Sequence, residues 1–490
     1  MHPEGPATID PHQTSLSRDG DDAVMNATCE TLPALLDVGL VRRFDLNGPR
    51  YTSYPTADRF HAGFGPAHLE TALRERAADA SRRPLSIYAH LPFCNTVCFY
   101  CGCNKIGTRD KSRATTYIDY LRKEVELQTA LLGSGRRAAA MHWGGGTPTF
   151  PIEEDMRRLM GMFREHFDFQ PGAEIAIEID PRSCPAERMG LLAELGFNRA
   201  SFGIQDFDPD VQKAVNRIQP YDLTRDAILA ARANGFKSVN ADLIYGLPKQ
   251  SVESFTRTVE SVLTLRPDRI ALYSYAHLPT RFKPQMRIVS AELPTAATKL
   301  NILTRAIERF NEAGYVYIGM DHFALPGDEL ARAQRDGTLI RNFQGYAVGP
   351  DTDLLAFGVS AIAKVGAMYS QNDKKLAGYY EALDAGRLPV SRGVELTTDD
   401  VIRRSIIGAL MCQFELDVGV VEKEHGIAFT ECFATELAAL KEFVDMGLVE
   451  IRPGTLSVTR RGRYFVRAIA AVFDHYLQAD RERVAYSRII

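Results

Sequence analysis

No run in this sequence approaches the ~18 consecutive apolar residues that a membrane-spanning helix needs, which excludes a spanning protein. A basic excess is also missing. Lys and Arg number 58 against 62 Asp and Glu, a net charge of −4, so there is no global field to hold nucleic acid. The opening stretch MHPEGPATIDPHQTSLSRDGDD lacks a basic segment followed by an apolar one, so no secretory signal is expected. Cysteine is scarce outside one loop, which argues against a disulfide-stapled secreted scaffold. These absences predict a soluble, cytoplasmic chain that engages neither membrane nor nucleic acid. The 490 residues are 45% apolar and 24% charged, enough for a large core and about three domains.

What is present is concentrated. Four of the eight cysteines lie in Cys94-Asn95-Thr96-Val97-Cys98-Phe99-Tyr100-Cys101-Gly102-Cys103, the first three spaced C-x3-C-x2-C. Thiolates suit iron–sulfur clusters, zinc and copper(I). Three of them on one short loop can converge on one inorganic centre. A four-thiolate zinc site is the competing structural reading, but zinc ribbons use two separated C-x2-C knuckles, and no second knuckle occurs.

Along the chain, residues 1–40 are polar and read as a disordered extension. Residues 41–83 read as an N-terminal arm. Within it, Gly48-Pro49-Arg50-Tyr51-Thr52-Ser53-Tyr54-Pro55 has two prolines and no helical or strand period, so it is extended. Such a segment is either a linker or a cover for a pocket. From 84 to 277, six short β-rich runs alternate with amphipathic stretches. The runs are Leu85–Ala89, Ala139–Trp143, Glu174–Ile179, Arg199–Ile204, Val239–Ile244 and Arg269–Tyr275. This alternation predicts parallel strands with right-handed crossovers, an open three-quarter (β/α)6 barrel within residues 84–385.

All six strand ends carry polar or glycine-rich residues, which is where (β/α) barrels place function. The second is followed by Gly144-Gly145-Gly146-Thr147-Pro148, bare backbone that can pair with a ligand, or else make a tight turn. The triplet is neither a dinucleotide fingerprint nor a P-loop. Glu178 and Asp242 sit late in apolar strands, where a carboxylate needs a partner: a cationic, hydroxyl-rich ligand, or an ion pair with Arg182, Arg199 or Arg217. His277 and His322 follow strand-like runs and could be site residues or satisfied core histidines. From 386 to 490 the pattern becomes helical, with a helix start at Thr397, helices near 399–413 and 430–446, a hairpin around Pro453-Gly454 and a last helix over 460–477. Helix–hairpin–helix is winged-helix-like. Arg460, Arg461, Arg463 and Arg467 leave DNA binding as a minority reading against a lid or packing role.

The motifs YAHLPFC-x3-C-x2-CGCNK, HWGGGTPT, EIAIEIDPR, SFGIQDF, VNRIQ, NADLIYGLPKQ, YSYAHLP, GMDHFA, RNFQGY and DTDLLAFGVSAI follow one another in order. Together with PRYTSYPTA they resemble the oxygen-independent coproporphyrinogen III oxidase family, within the radical S-adenosylmethionine (SAM) superfamily. The resemblance runs from about Arg43 to the C-terminus. It implies a 4Fe–4S cluster on Cys94, Cys98 and Cys101, with SAM on the open iron and Cys103 a free thiol. It implies cleavage of SAM to a 5′-deoxyadenosyl radical. The radical drives decarboxylation of the ring A and ring B propionates of coproporphyrinogen III to vinyl groups, giving protoporphyrinogen IX in heme synthesis.

By motif position the resemblance implies two SAM molecules. Tyr88, Gly145, Glu178 and Ile362 would meet the first; Tyr100, Gly146, Thr147, Gln205, Arg217, Asp242 and Ala276 the second. Arg50, Tyr51 and Tyr54 would position substrate. Arg281 and Arg341 are further carboxylate candidates, because guanidinium groups bind carboxylates through two parallel bonds. A flavodoxin- or ferredoxin-type electron donor and a monomeric state are implied. Two alternatives stand beside this reading: a heme-binding chaperone on the same fold, and a zinc-dependent winged-helix regulator.

Overall fold

The computed structural model describes residues 38–44, 48–79 and 83–479. Of the expected disordered extension, residues 1–37 lie outside the described residues, while 38–40 open a helix, Val38–Phe44.

The six β-rich runs are strands β1 (Leu85–Leu91), β2 (Arg137–Gly145), β3 (Asp168–Ile179), β4 (Arg199–Gln205), β5 (Ser238–Tyr245) and β6 (Arg269–Ser274). They lie side by side in chain order and all are parallel. Between them run α1 (Ser112–Leu132), α2 (Glu153–His166), α3 (Tyr221–Ala233) and α4 (Val252–Leu265). Each helix turns one apolar stripe to the sheet. In α1, Tyr117, Leu121 and Val125 recur at four-residue spacing and are fully buried. α4 opens on a capping box at Ser251 and closes with Arg266 left-handed.

The sheet continues at both edges. Strands β7 (Val316–Gly319) and β8 (His322–Ala324) extend it beyond β6. On the other side lie β9 (Leu354–Phe357), β10 (Ile362–Val365), β11 (Met368–Asn372) and β12 (Val390–Glu395). The order is β12-β11-β10-β9-β1-β2-β3-β4-β5-β6-β8-β7. β9 pairs parallel to β1, a seventh parallel strand beyond the six expected. The β7 and β12 ends do not pair, so the barrel is open. Because β12 belongs to this sheet, the barrel unit reaches ten residues past the expected limit of 385.

The C-terminal part begins with α5 (Thr398–Gln413), capped by Thr397 in a capping box. It packs with two further helices, Val418–His425 and Ala434–Asp445, and a three-stranded sheet that includes the hairpin Val449–Arg452/Thr455–Val458. The expected last helix over 460–477 is broken into Gly462–Phe465, Val466–Ala471 and His475–Ala479. The interruption falls at residues 472–474, while Gly462 at the start of the segment packs backbone to backbone, since a Cβ there would lie 1.9 Å from the Leu448 carbonyl oxygen.

Two cores result, one between sheet and outer helices, the other joining the C-terminal part to Leu40, Phe44, Tyr51 and Tyr54 of the arm. Among the described residues, no helix is long and apolar enough to cross a membrane.

Candidate active site

Alternation along the strands decides what the open interior holds. In β3, Ile175, Ile177 and Ile179 are buried against the helices, leaving Glu174, Ala176 and Glu178 on the other face. In β5, Val239, Ala241 and Leu243 are fully buried, leaving Asn240 and Asp242. The inner face is therefore polar. His142, Glu178, Ser201, Asn240 and Asp242 line a cavity of about 150 Å3 together with Tyr273, His322 and Tyr346. Burial pushes the Asp242 carboxyl up to about 6, although Ser201 Oγ at 2.7 Å and Asn240 Nδ2 at 2.8 Å both donate to it. Glu178 accepts from the Gly145 amide at 3.2 Å and lies 3.3 Å from His142 Nε2.

The cysteine loop follows β1. A parallel bridge of Phe93–Cys94 to Ile106–Gly107 closes its base. His90 anchors the other side, with Nε2 2.9 Å from the Asn104 carbonyl and Nδ1 3.0 Å from the Tyr88 hydroxyl. Cys94 and Cys98 are buried, Cys101 is half-buried and Cys103 exposed; all are free thiols.

Polar groups converge on two of these sulfurs. Thr147 Oγ1 donates to Cys94 Sγ at 3.4 Å. Arg182 Nη2 reaches Cys98 Sγ at 3.2 Å, and Arg217 Nη1 reaches it at 3.5 Å. Asp180 holds both guanidinium groups, at 2.7 Å and 3.3 Å. Burial raises the Cys94 thiol to about 11. A hydrogen bond with the Cys103 side chain lowers Cys101 to about 6, helped by Lys105.

The glycine triplet is explained by close approach. A Cβ on Gly146 would lie 2.5 Å from the Pro92 carbonyl oxygen and 3.0 Å from Cys94 Sγ. A Cβ on Gly144 would meet Glu178 Oε1 at 2.9 Å and the Tyr88 ring at 3.0 Å. Bare backbone here lets β2 pass directly under the cysteine loop.

The structure thus brings most of the expected residues together. Tyr88, Gly145 and Glu178 form one group. Gly146, Thr147 and Cys94 form a second, and Cys98, Tyr100 and Arg217 a third. Gln205 ends β4 in a left-handed conformation and shares the Gly203 neighbourhood with Arg217, which donates to the Gly203 carbonyl. Ala276 lies half-buried in the turn after β6, and Ile362 opens β10, packed against Phe60 and Tyr369.

The arm residues go elsewhere. Tyr51 donates to Asp474 Oδ2 at 3.0 Å, and the Tyr54 hydroxyl accepts from the His475 amide at 3.1 Å, so both hydroxyls are spent on the C-terminal part. Arg50 pairs with Asp321 and lies 5.7 Å from the Tyr273 ring centre, on the rim of the inner cavity. Arg341 Nε donates to the Arg50 carbonyl at 3.2 Å, while Arg281 is exposed beside Phe282. His277 is satisfied by Tyr275 and Ser290. Burial drops His322 to about 3, so it is neutral.

The suspected ion pairs of Glu178 and Asp242 do not form. Arg182 and Arg217 pair with Asp180, and Arg199 with Glu174 and Glu329. Arg182, read in sequence only as such a partner, is the functional residue that sequence reasoning missed. Its place in EIAIEIDPR was visible, but its reach to a sulfur 84 positions away was not. Two of the four arginines near the end of the chain are engaged within the fold. Arg467 is buried and donates to the carbonyls of Gly48 and Pro49, and Arg463 stacks 4.8 Å from the Phe414 ring centre.

The donor set fits an iron–sulfur cluster better than a single ion. Among the described residues, no three His, Cys, Asp or Glu side chains converge on one point as a mononuclear metal needs. A cubane takes each thiolate at a different iron, so spaced thiolates suit it.

Known proteins resemble this chain over most of its length. Residues 88–262 match the model of the radical SAM superfamily, and residues 396–465 match that of the HemN C-terminal domain. A protein of Pseudomonas aeruginosa, an oxygen-independent coproporphyrinogen III oxidase, is 48% identical over 457 residues, covering 93% of this chain and 98% of its own. The protein of that name from Escherichia coli K12 is 46% identical over 454 residues, covering 93% and 98%. The solved structure of the Escherichia coli coproporphyrinogen III oxidase, a radical SAM enzyme, superposes with a TM-score of 0.86 at 45% identity, covering 90% of this chain and 99% of that one.

Proposed function

The chain belongs to the oxygen-independent coproporphyrinogen III oxidase family of radical SAM enzymes, and from that premise we propose how its residues share the oxidative decarboxylation of coproporphyrinogen III in heme synthesis. The observation that carries the reading is the meeting of the cysteine loop with the polar inner face of the sheet, through Gly144–Thr147. When bound, the cluster and SAM supply a one-electron reductant and a carbon radical able to abstract hydrogen.

Cys94, Cys98 and Cys101 hold the cluster, and Cys103 stays free. The greater exposure of Cys103 supports that division, since Cys94 and Cys98 are buried and Cys101 is half-buried. Glu178 and the backbone around Gly145 receive the ammonium and carboxylate ends of a first SAM, beside Tyr88. Asp242, Gln205, Arg217 and Thr147 serve a second. Asp242 is suited to this, because a buried carboxylate with two donors keeps room to accept from a ribose hydroxyl. Arg182 and Arg217 orient and polarise the Cys98 sulfur.

Each of two propionate side chains of the substrate would lose one hydrogen atom to the radical, then its carboxyl group as CO2 together with one electron, and so become a vinyl group. The arm closes the interior: Arg50 faces it, while Tyr51 and Tyr54 fasten the arm to the C-terminal part. Such closure keeps water from a radical. A flavodoxin- or ferredoxin-type donor supplies electrons, the chain acts as a monomer, and a reducing cytoplasm suits its free thiols.

Single alanine variants of the four cysteines test this division after anaerobic reconstitution. C94A, C98A and C101A each lose the cluster's visible absorption and SAM cleavage, whereas C103A keeps both. Loss of the cluster in C103A would overturn the three-ligand reading.

A further inference from the structure

A second, larger cavity lies between the barrel, the arm and α5. Its volume is about 460 Å3, and it is lined by Ser86, Arg341, Phe343, Lys364, Tyr369 and Arg404 among others. Arg341 comes from the hairpin strand Leu339–Asn342, Lys364 from β10 and Arg404 from α5. Lys364 is paired with Asp351. The two arginines are not fully paired: Nη1 of Arg341 and Nη1 of Arg404 are both buried without a hydrogen-bond partner. A buried guanidinium N–H without an acceptor leaves its desolvation uncompensated. Two such groups on one cavity describe a site that an anion completes. A carboxylate suits it best, since its two oxygens match the guanidinium fork. The rest of the wall mixes apolar and aromatic side chains, such as Phe343, Leu354, Tyr369 and Met411, with polar ones that include the carboxylates Asp351, taken up by Lys364, and Glu424; its apolar share suits carboxylates carried on an apolar body.

The cavity also lies in register with the site described above. Ser86, on its wall, is the second residue of β1, and His90, four residues on and about 13 Å away at strand rise, anchors the cysteine loop. That span is comparable to the breadth of a tetrapyrrole. Phe343 and Ile362 both pack on the cluster that holds Tyr369, and Arg341 lies 4.6 Å from the ring centre of Tyr346, which lines the inner cavity.

We propose that Arg341 and Arg404 form a carboxylate-binding pair that holds the propionates of the porphyrinogen that do not react, so that the opposite pair faces the cysteine loop. This inference rests on the function proposed above. It gives the C-terminal part a share in substrate binding through one side chain of α5.

The test uses the full-length reconstituted protein and the variants R404M, R404K and R341M. Coproporphyrin III, the stable oxidised tetra-acid, is titrated by fluorescence, with its tetramethyl ester as the uncharged control. Turnover of coproporphyrinogen III is followed in parallel. R404M and R341M are expected to weaken tetra-acid binding and raise KM about tenfold or more. R404K recovers part of the loss, ester binding stays constant, and SAM binding is unchanged. Should R404M fold poorly, as its thermal midpoint would reveal, R341M on the opposite wall carries the test. Wild-type turnover with unaltered tetra-acid binding in the variants would overturn the arginine pair alone. A wild type that never consumes the porphyrinogen would overturn the proposed function and this assignment with it.

Discussion

Replacing Arg182 by glutamine should make the cluster harder to reduce. Arg182 Nη2 lies 3.2 Å from Cys98 Sγ, and Asp180 fixes the guanidinium through Nε at 3.0 Å and Nη2 at 2.7 Å. A hydrogen bond to a charged group contributes about 1.5–3 kcal/mol. Only the part that grows when the cluster gains an electron shifts the potential. Taking a third to a half of it gives about 0.5–1.5 kcal/mol, or about 20–65 mV for a one-electron couple. The removed positive charge acts in the same direction, so the midpoint should fall. R182K keeps the charge but not the fork and should fall between the two. The assay is a potentiometric titration of the reconstituted cluster followed by the electron paramagnetic resonance signal of its reduced form. Equal midpoints for wild type and R182Q, with equal cluster loading, would refute the reasoning.

G146A should fold but hold less iron and sulfide per chain, because its Cβ would sit 2.5 Å from the Pro92 carbonyl oxygen and 3.0 Å from Cys94 Sγ. Analysis of iron and sulfide after identical reconstitution checks this. On the proposed two-site reading, D242N should bind one SAM fewer per chain than the wild type, measured by equilibrium dialysis. Wild-type binding of the second SAM should also weaken below about pH 6, as the Asp242 carboxyl takes up a proton. Glu124 is fully buried and raised to about 7 by that burial, while accepting from Tyr379, Asn372 and the Gly358 amide. A raised carboxyl stabilises the fold below its unfolded value near 4.5 and loses that contribution as pH climbs to about 7. The loss is of order 3 kcal/mol at most. Thermal melts between pH 5 and 7.5 should therefore show a fall in wild type that E124Q, which cannot ionise, lacks.

The parallel strands were legible because each combines an apolar alternation with a polar end, and those ends converge by topology alone. β9 was not legible. Its four residues, Leu354–Phe357, are too short to show a period, and its parallel partner β1 lies over 260 positions away. The last helix failed for a different reason. Its apolar stripe runs on through the buried Val466, Ile469 and Phe473, so it gives no sign of the interruption at residues 472–474. Within the site, the cysteines and glycines announced themselves by clustering. Tyr51 and Tyr54 carried the right motif, yet their hydroxyls serve Asp474 and His475, residues that only the folded chain brings near. Arg182 and Arg404 belong to the same class, since each acquires meaning from a neighbour that sequence distance conceals.

Radical decarboxylation of a porphyrinogen is tested most directly by its stoichiometry. The reconstituted protein is incubated without oxygen with SAM, a reductant and coproporphyrinogen III, and porphyrin products and 5′-deoxyadenosine are quantified by mass. The account predicts a product lighter by two successive oxidative losses of CO2, with one 5′-deoxyadenosine formed for each vinyl group. 5′-Deoxyadenosine formed while coproporphyrinogen III stays intact would contradict it.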